Sequence, residues 1–271
     1  MLLKVDGKQV YAATGGRPFD PAKPAMIFMH GAGMDHSNWQ LPARSFAWHG
    51  HSVLAVDLPG HGRSEGPALG SVAAMAKWLE MLLVAAGIRR TALVGHSMGG
   101  AIALEAAAAL GERISRIALL GTAASIPVNR DLLTAAREEP PRAYQMMTAW
   151  SHGAAAKLGG NPAPGLWMTG GTLALYARNQ PSVLHTDLDA CNAWKTGPEA
   201  ARKLRRPALV VIAANDIMTP TKNGQELARL IAGSCAVTIE ECGHMLLAEA
   251  PDAVLDALIA FFAAETAPAA L

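Results

Sequence analysis

Ser97 stands in "LVGHSMGG" (93–100), between a short apolar run and an alanine-rich stretch. A serine in a G-x-S-x-G turn from strand to helix has its hydroxyl lifted above the sheet, where it can attack an acyl carbon. The hydroxyl is a weak nucleophile until a base takes its proton, so the chemistry calls for a histidine and a carboxylate to orient it. Of nine histidines, His185 and His244 lie well downstream of Ser97. His244, in "EECGHMLLAEAP", falls between a strand and a helix, where a sheet presents a base; His185 lacks that placement. Asp216, in "VVIAANDIMTP", follows an apolar run directly. Alone it would read as a turn-forming or helix-capping residue; with Ser97 and His244 it becomes the acid. Asp57 also ends a strand, but it precedes Ser97 and suits the loop "DLPGHGRS" better.

Acyl transfer also needs donors for the developing oxyanion, each contributing about 2.7–4 kcal/mol of barrier lowering. The amide of Met98, next to the nucleophile and at a helix start, is one expected donor. The other is the amide of Ala32, in "HGAGMDHSNW" (30–39), where Gly31 and Gly33 let the backbone approach a ligand. His30 is expected to brace this loop. His36 is expected to face the pocket.

These residues must be carried by a scaffold, and the pattern describes one. Short apolar runs at 25–30, 52–57, 91–96, 116–121, 208–214 and 235–240 read as buried strands. Helical patterns at about 71–87, 98–110, 222–232 and 248–263 lie between or after them, which is the order of a parallel sheet covered by helices on both faces. The alternation fails between 125 and 205, which reads as a mostly helical insertion. That insertion holds Trp150, Trp167 and Trp194, half of the six tryptophans, together with Met147. Because pockets are mostly apolar with a few polar groups, Trp150, Trp167 and Met147 are expected to line a pocket roof. The final "AAETAPAAL" reads as a frayed tail.

Composition narrows the partners. Twenty-three basic against 22 acidic side chains give a formal net charge of +1, no electrostatic reason to favour nucleic acid or an anionic membrane. A small molecule is the expected partner, and the chain is compatible with a homo-oligomer. Three cysteines without C-x-x-C spacing argue against a disulfide framework or a cysteine zinc site. "MLLKVDGKQVY" fits neither a signal nor a transit peptide, so a cytoplasmic location is expected. The apolar window at 253–264 is too short for a membrane span.

Taken together, "HGAG" (30–33), "DLPGHGRS" (57–64), "GHSMGG" (95–100), "NDIMTP" (215–220) and "GHMLLAEAP" (243–251) resemble the α/β-hydrolase family along nearly the whole chain outside the insertion. The resemblance implies an α/β fold with an eight-stranded, mostly parallel sheet flanked by helices, its core being 1–124 and 206–271. It also implies a helical cap at 125–205 inserted after the sixth strand, a site between cap and sheet, and no cofactor or metal. Ser97 matches the nucleophile, His244 the base, Asp216 the acid, and Ala32 with Met98 the oxyanion-hole amides. Relatives that cleave haloalkanes or epoxides carry Asp where this chain has Ser97, which disfavours those activities.

The reading is a serine hydrolase cleaving an ester or related acyl compound, with carboxylesterase first. Lactonase, thioesterase, C–C bond hydrolase and cofactor-free perhydrolase look alike at this level, because fold does not fix function. A C–C hydrolase acting on a dienoate acid would want a cation, for which Arg130, Arg137, Arg142, Lys157, Arg178 and Lys195 are the insertion's candidates. A small-molecule receptor with an intact triad is the alternative outside catalysis.

Overall fold

The computed structural model describes residues 1–160 and 165–263. The expected tail beyond Ala263, and "NPAP" at 161–164, lie outside the described residues. Eight strands form one sheet: β1 (Leu2–Val5), β2 (Lys8–Ala13), β3 (Ala25–Met29), β4 (Ser52–Val56), β5 (Thr91–His96), β6 (Ile114–Leu120), β7 (Ala208–Ala213) and β8 (Cys235–Ile239). Their order is β1-β2-β4-β3-β5-β6-β7-β8. The β1–β2 and β2–β4 pairs are antiparallel and the rest are parallel. Six of the strands coincide with the apolar runs. The β1–β2 hairpin turns at Asp6 (φ 49°) and Gly7 (φ 78°), two successive left-handed residues, the geometry that Asp-Gly favours between alternating strands.

The helices before the insertion are α1 (Gln40–Trp48), α2 (Val72–Ala85) and α3 (Met98–Leu110). Between β6 and β7 come α4 (Arg130–Glu138), α5 (Pro140–Ser151), α6 (Ala154–Lys157), α7 (Met168–Ala177), α8 (Pro181–Ala193) and α9 (Gly197–Lys203), with no strand among the described residues. Next are α10 (Thr221–Leu230), α11 (Leu246–Glu249) and α12 (Pro251–Ala263). The expected helix 248–263 is two pieces: Ala250 leaves helical geometry (φ −138°, ψ 56°), as a residue before proline tends to. α1 escaped the sequence reading because it is short and carries Pro42.

Side chains of β3–β7 alternate between two apolar layers, as the two-residue strand period requires. Met26, Phe28, Val53, Val94, Leu120 and Val211 pack with α1 and α12. Ile27, Met29, Leu54, Leu93, Leu119 and Val210 pack under α2 and α3. The second layer continues into the insertion through Leu132, Tyr144, Leu188 and Trp194, each buried side chain of this kind contributing about 1.5–3 kcal/mol. No helix among the described residues is long and apolar enough to cross a membrane.

Candidate active site

Ser97 sits at the junction of β5 and α3 with φ 52° and ψ −118°, a conformation costing about 1–3 kcal/mol. The surroundings impose it. The Ser97 amide donates to Leu120 O of β6 at 2.9 Å, and its carbonyl accepts from Gly100 N (2.9 Å) and Ala101 N (3.2 Å). A side chain on Gly95 would run into Gly99 O, and one on Gly99 into Met29 O. The two glycines thus let the start of α3 rest directly on the sheet, which forces the sharp turn.

Asp216 follows β7. Its loop is tied to the one after β8 by Ala214 N to Ile239 O and Asn215 N to Cys242 O, both 2.9 Å. Asp216 Oδ1 accepts from Met218 N and Thr219 N at 2.8 Å each. Its Oδ2 accepts from His244 Nδ1 at 2.7 Å. Two backbone donors therefore hold one oxygen while the other sets the imidazole tautomer, leaving His244 Nε2 as a proton acceptor. His244 is itself held from behind: His96 Nε2 donates to His244 O at 2.9 Å, and the rings are 4.9 Å apart. Burial, then the neighbouring His244, push the His96 pKa down to about 3, so His96 serves as a neutral donor. The sequence reading did not single out His96.

The loop after β3 fixes the peptide that carries the Ala32 amide. Gly31 O accepts from His30 Nδ1 (2.9 Å) and Met34 N (3.2 Å). A trans peptide points its N–H opposite its C=O, so the Ala32 N–H is directed away from those donors. Among the described residues, neither the Ala32 nor the Met98 amide donates to a hydrogen bond. His30 braces the loop as expected: its Nε2 accepts from Leu58 N at 3.1 Å. Burial, followed by repulsion from His61, pushes its pKa down to about 4.

Ser97, His244 and Ala32 line one cavity of about 320 Å³, with Met147 and Trp150 of α5 and Leu188 and Cys191 of α8 across from them. His36 and Trp167, expected at this pocket, are elsewhere. The backbone N and Nδ1 of His36 both donate to Asp57 Oδ1, at 2.7 and 2.8 Å, so its ring is spent bracing the loop. Burial opposes the Asp57 charge, but those bonds and the one from Arg63 N outweigh it and hold the carboxyl below its usual range. Trp167 is 73% exposed. α7 buries Met168, Thr172, Leu175 and Tyr176, while Trp167 falls on the stripe of exposed Gly171, Ala174 and Arg178, four or three residues apart on one helix face.

The six candidate cations of the insertion are all exposed, and none lines the cavity. Arg178 pairs with Asp35 at 2.7 Å. Asp35, His36 and Asp57 bring ligand-type atoms within 4.8 Å of one another. The carboxylates are already engaged, by Ser37 and Arg178 on Asp35 and by His36 and Arg63 on Asp57.

Solved structures share this architecture. An enol-lactonase from Burkholderia xenovorans superposes with a TM-score of 0.87 at 23% identity, covering 97% of this chain and 100% of that one. A thermophilic esterase from Thermogutta terrifontis superposes at 0.84 and 20%, covering 97% and 98%. Likeness at these identities speaks for the fold. Among curated proteins, 2-succinyl-6-hydroxy-2,4-cyclohexadiene-1-carboxylate synthase of Salmonella agona is 39% identical over 90 residues, which is 33% of this chain. The matched stretch spans only 35% of that relative. The model described as the alpha/beta hydrolase family matches residues 26–257. That stretch runs from β3 through most of α12 and takes in the insertion, and on it the chain belongs to the alpha/beta hydrolase family.

Proposed function

We propose that the protein is a serine hydrolase acting on an ester or related acyl compound, carboxylesterase or lactonase in type, through an acyl-enzyme on Ser97. The observation that carries this reading is that an oriented imidazole, His244 on Asp216 at 2.7 Å, and a strained serine line the same cavity. Ser97 Oγ attacks the carbonyl carbon as its proton passes to His244 Nε2. The Ala32 and Met98 amides receive the oxyanion, and Asp216 stabilises the imidazolium. The intermediate collapses, and His244 returns the proton to the departing alcohol oxygen. Water then attacks the acyl carbon with His244 again as base, releasing the acid and Ser97.

Segment 125–205 serves as the cap, with Met147 and Trp150 contacting the acyl group. The product in the synthase relative's name is a carboxylate. A carboxylate-bearing substrate would call for a cation beside the site, and none lines the cavity among the described residues. The apolar lining favours a neutral acyl compound, and no cofactor enters this sequence of steps.

The test is Ser97→Ala. Covalent labelling by a fluorophosphonate should vanish, and kcat on 4-nitrophenyl esters should fall about 10⁶-fold. Labelling that persists at the original rate overturns the assignment. So does a wild-type protein that binds acyl esters and turns over none of them, which is the receptor outcome.

A further inference from the structure

The steps above leave two deeply buried charged residues unused. Asp187, within α8, is fully buried, and His61, after β4, is 1% exposed. Burial of a carboxylate is tolerated only with partners, and these partners are specific. Asp187 Oδ2 accepts from His61 Nε2 and from Gly33 N, both at 2.8 Å. His61 Nδ1 lies 3.0 Å from Pro59 O, which can only accept, so both ring nitrogens donate and the ring is an imidazolium. Burial opposes that charge, but the charge and hydrogen bond of Asp187 outweigh it and raise the pKa. Facing His61 are Asp187 from α8, Asp57 at the end of β4, and His30 after β3, its ring 4.8 Å away.

Asn179, between α7 and α8, completes the grip. Its Nδ2 donates to Gly33 O at 2.7 Å, and its Oδ1 accepts from Gly62 N at 3.2 Å. Leu184 and Tyr176 close over Gly33, where an added Cβ would lie 2.9 Å from Leu184 Cδ1. Both backbone polar groups of Gly33 are thus held by side chains of the insertion. Gly33 follows Ala32, and the preceding peptide plane is fixed at Gly31 O by His30 and Met34. Peptide units are rigid, so only φ and ψ of Ala32 lie between the two planes. The Ala32 N–H lies in the first plane and Asp187 holds the second at Gly33 N, so the latch bears on the Ala32 amide through those two angles, while Asn179 holds the next plane at Gly33 O.

We propose that Asp187, paired with His61, and Asn179 are positioning residues for the oxyanion hole, so that the insertion aims the Ala32 amide as well as roofing the cavity. The catalytic consequence rests on the serine-hydrolase reading; the geometric one does not.

Asp187→Asn keeps the side-chain volume and removes the charge. Expected are a fall in kcat of about ten- to hundredfold with KM nearly unchanged, since a small misplacement of a catalytic group costs about that much. Hydrogen exchange at the Gly33 amide should speed up about tenfold or more. Exchange at the Gly153 amide, held by Glu249 Oε2 at another seam, should not change. Should Asp187→Asn fail to fold, Asn179→Ala should lower kcat about three- to tenfold in the same pattern. A folded Asp187→Asn protein with wild-type kcat, with its loss confined to KM, or with Gly33 still protected overturns the proposal. If wild type hydrolyses no ester, the serine-hydrolase reading fails, and exchange at Gly33 still decides whether the latch exists.

Discussion

The sheet edge and the helical insertion place residues around the same cavity by different physical means. At the sheet edge, position comes from the backbone: Gly95 and Gly99 admit α3 onto the strands, and backbone donors hold Asp216 Oδ1. Among the described residues, the polar contacts that attach the insertion run mostly through side chains. Asp187 and Asn179 grip the loops after β3 and β4. Glu249 Oε2 accepts from Gly153 N and Gly243 N while Ser151 O accepts from Met245 N, tying the end of α5 to the His244 loop. On α3, Glu105 accepts from Trp194 Nε1 at 2.9 Å. Backbone-made geometry is local and stiff, whereas side-chain latches join segments far apart in sequence and depend on charge. On the proposed function, the sheet carries the chemistry and the insertion tunes it.

Four experiments press on that contrast. Asp216→Asn strikes the sheet edge and should lower kcat about 10⁴-fold by losing the correct imidazole tautomer; kinetics near wild type would send the acid's role elsewhere. His61→Leu strikes the seam and strands the Asp187 charge, so chemical denaturation should report a loss of about 3–5 kcal/mol, and a near-zero change would mean the pair is not structural.

Acid and alkali should separate the two regions. His30 and His96 are neutral when folded, with pKa values pushed down to about 4 and about 3. The unfolded chain takes up protons near the ordinary 6.5, so their stabilisation is present above about pH 6.5 and declines as pH falls toward 4. His61 has the opposite sign. Its pKa is raised, so the pair's contribution is full below about 6.5 and is lost as pH climbs through the folded value. Stability measured against pH should therefore fall on both sides, with Gly33 amide protection weakening on the alkaline side alone. The smallest effect belongs to the tryptophans: Trp150→Ala should shift KM across acyl lengths, while Trp167→Ala should leave kcat unchanged and stability within about 0.5 kcal/mol.

Much of the fold is legible in the sequence. The central strands are buried on both faces and so read as continuous apolar runs. Ser97, Asp216, His244 and Ala32 each sit in a short stretch whose neighbours reveal its turn. The Asp6-Gly7 hairpin has a readable signal in "KVDGKQ", but the strands beside it mix exposed, half-buried and buried positions and so form no continuous apolar run. Trp150 and Trp167 illustrate the limit. Both are large aromatics of the insertion, and composition alone does not say which faces the cavity; the helix phase does.

Sequence by itself determined the sheet's strand runs, the strand-to-helix turn at Ser97 and the turns that carry Asp216 and His244, because each depends on residues a few positions apart. Tertiary structure decided that His36 braces Asp57, that His96 holds His244, and that Asp187 meets His61 and Gly33 across 126 and 154 positions. Such pairings leave no periodic trace along the chain. They form because buried polar groups must find partners wherever packing happens to bring them together.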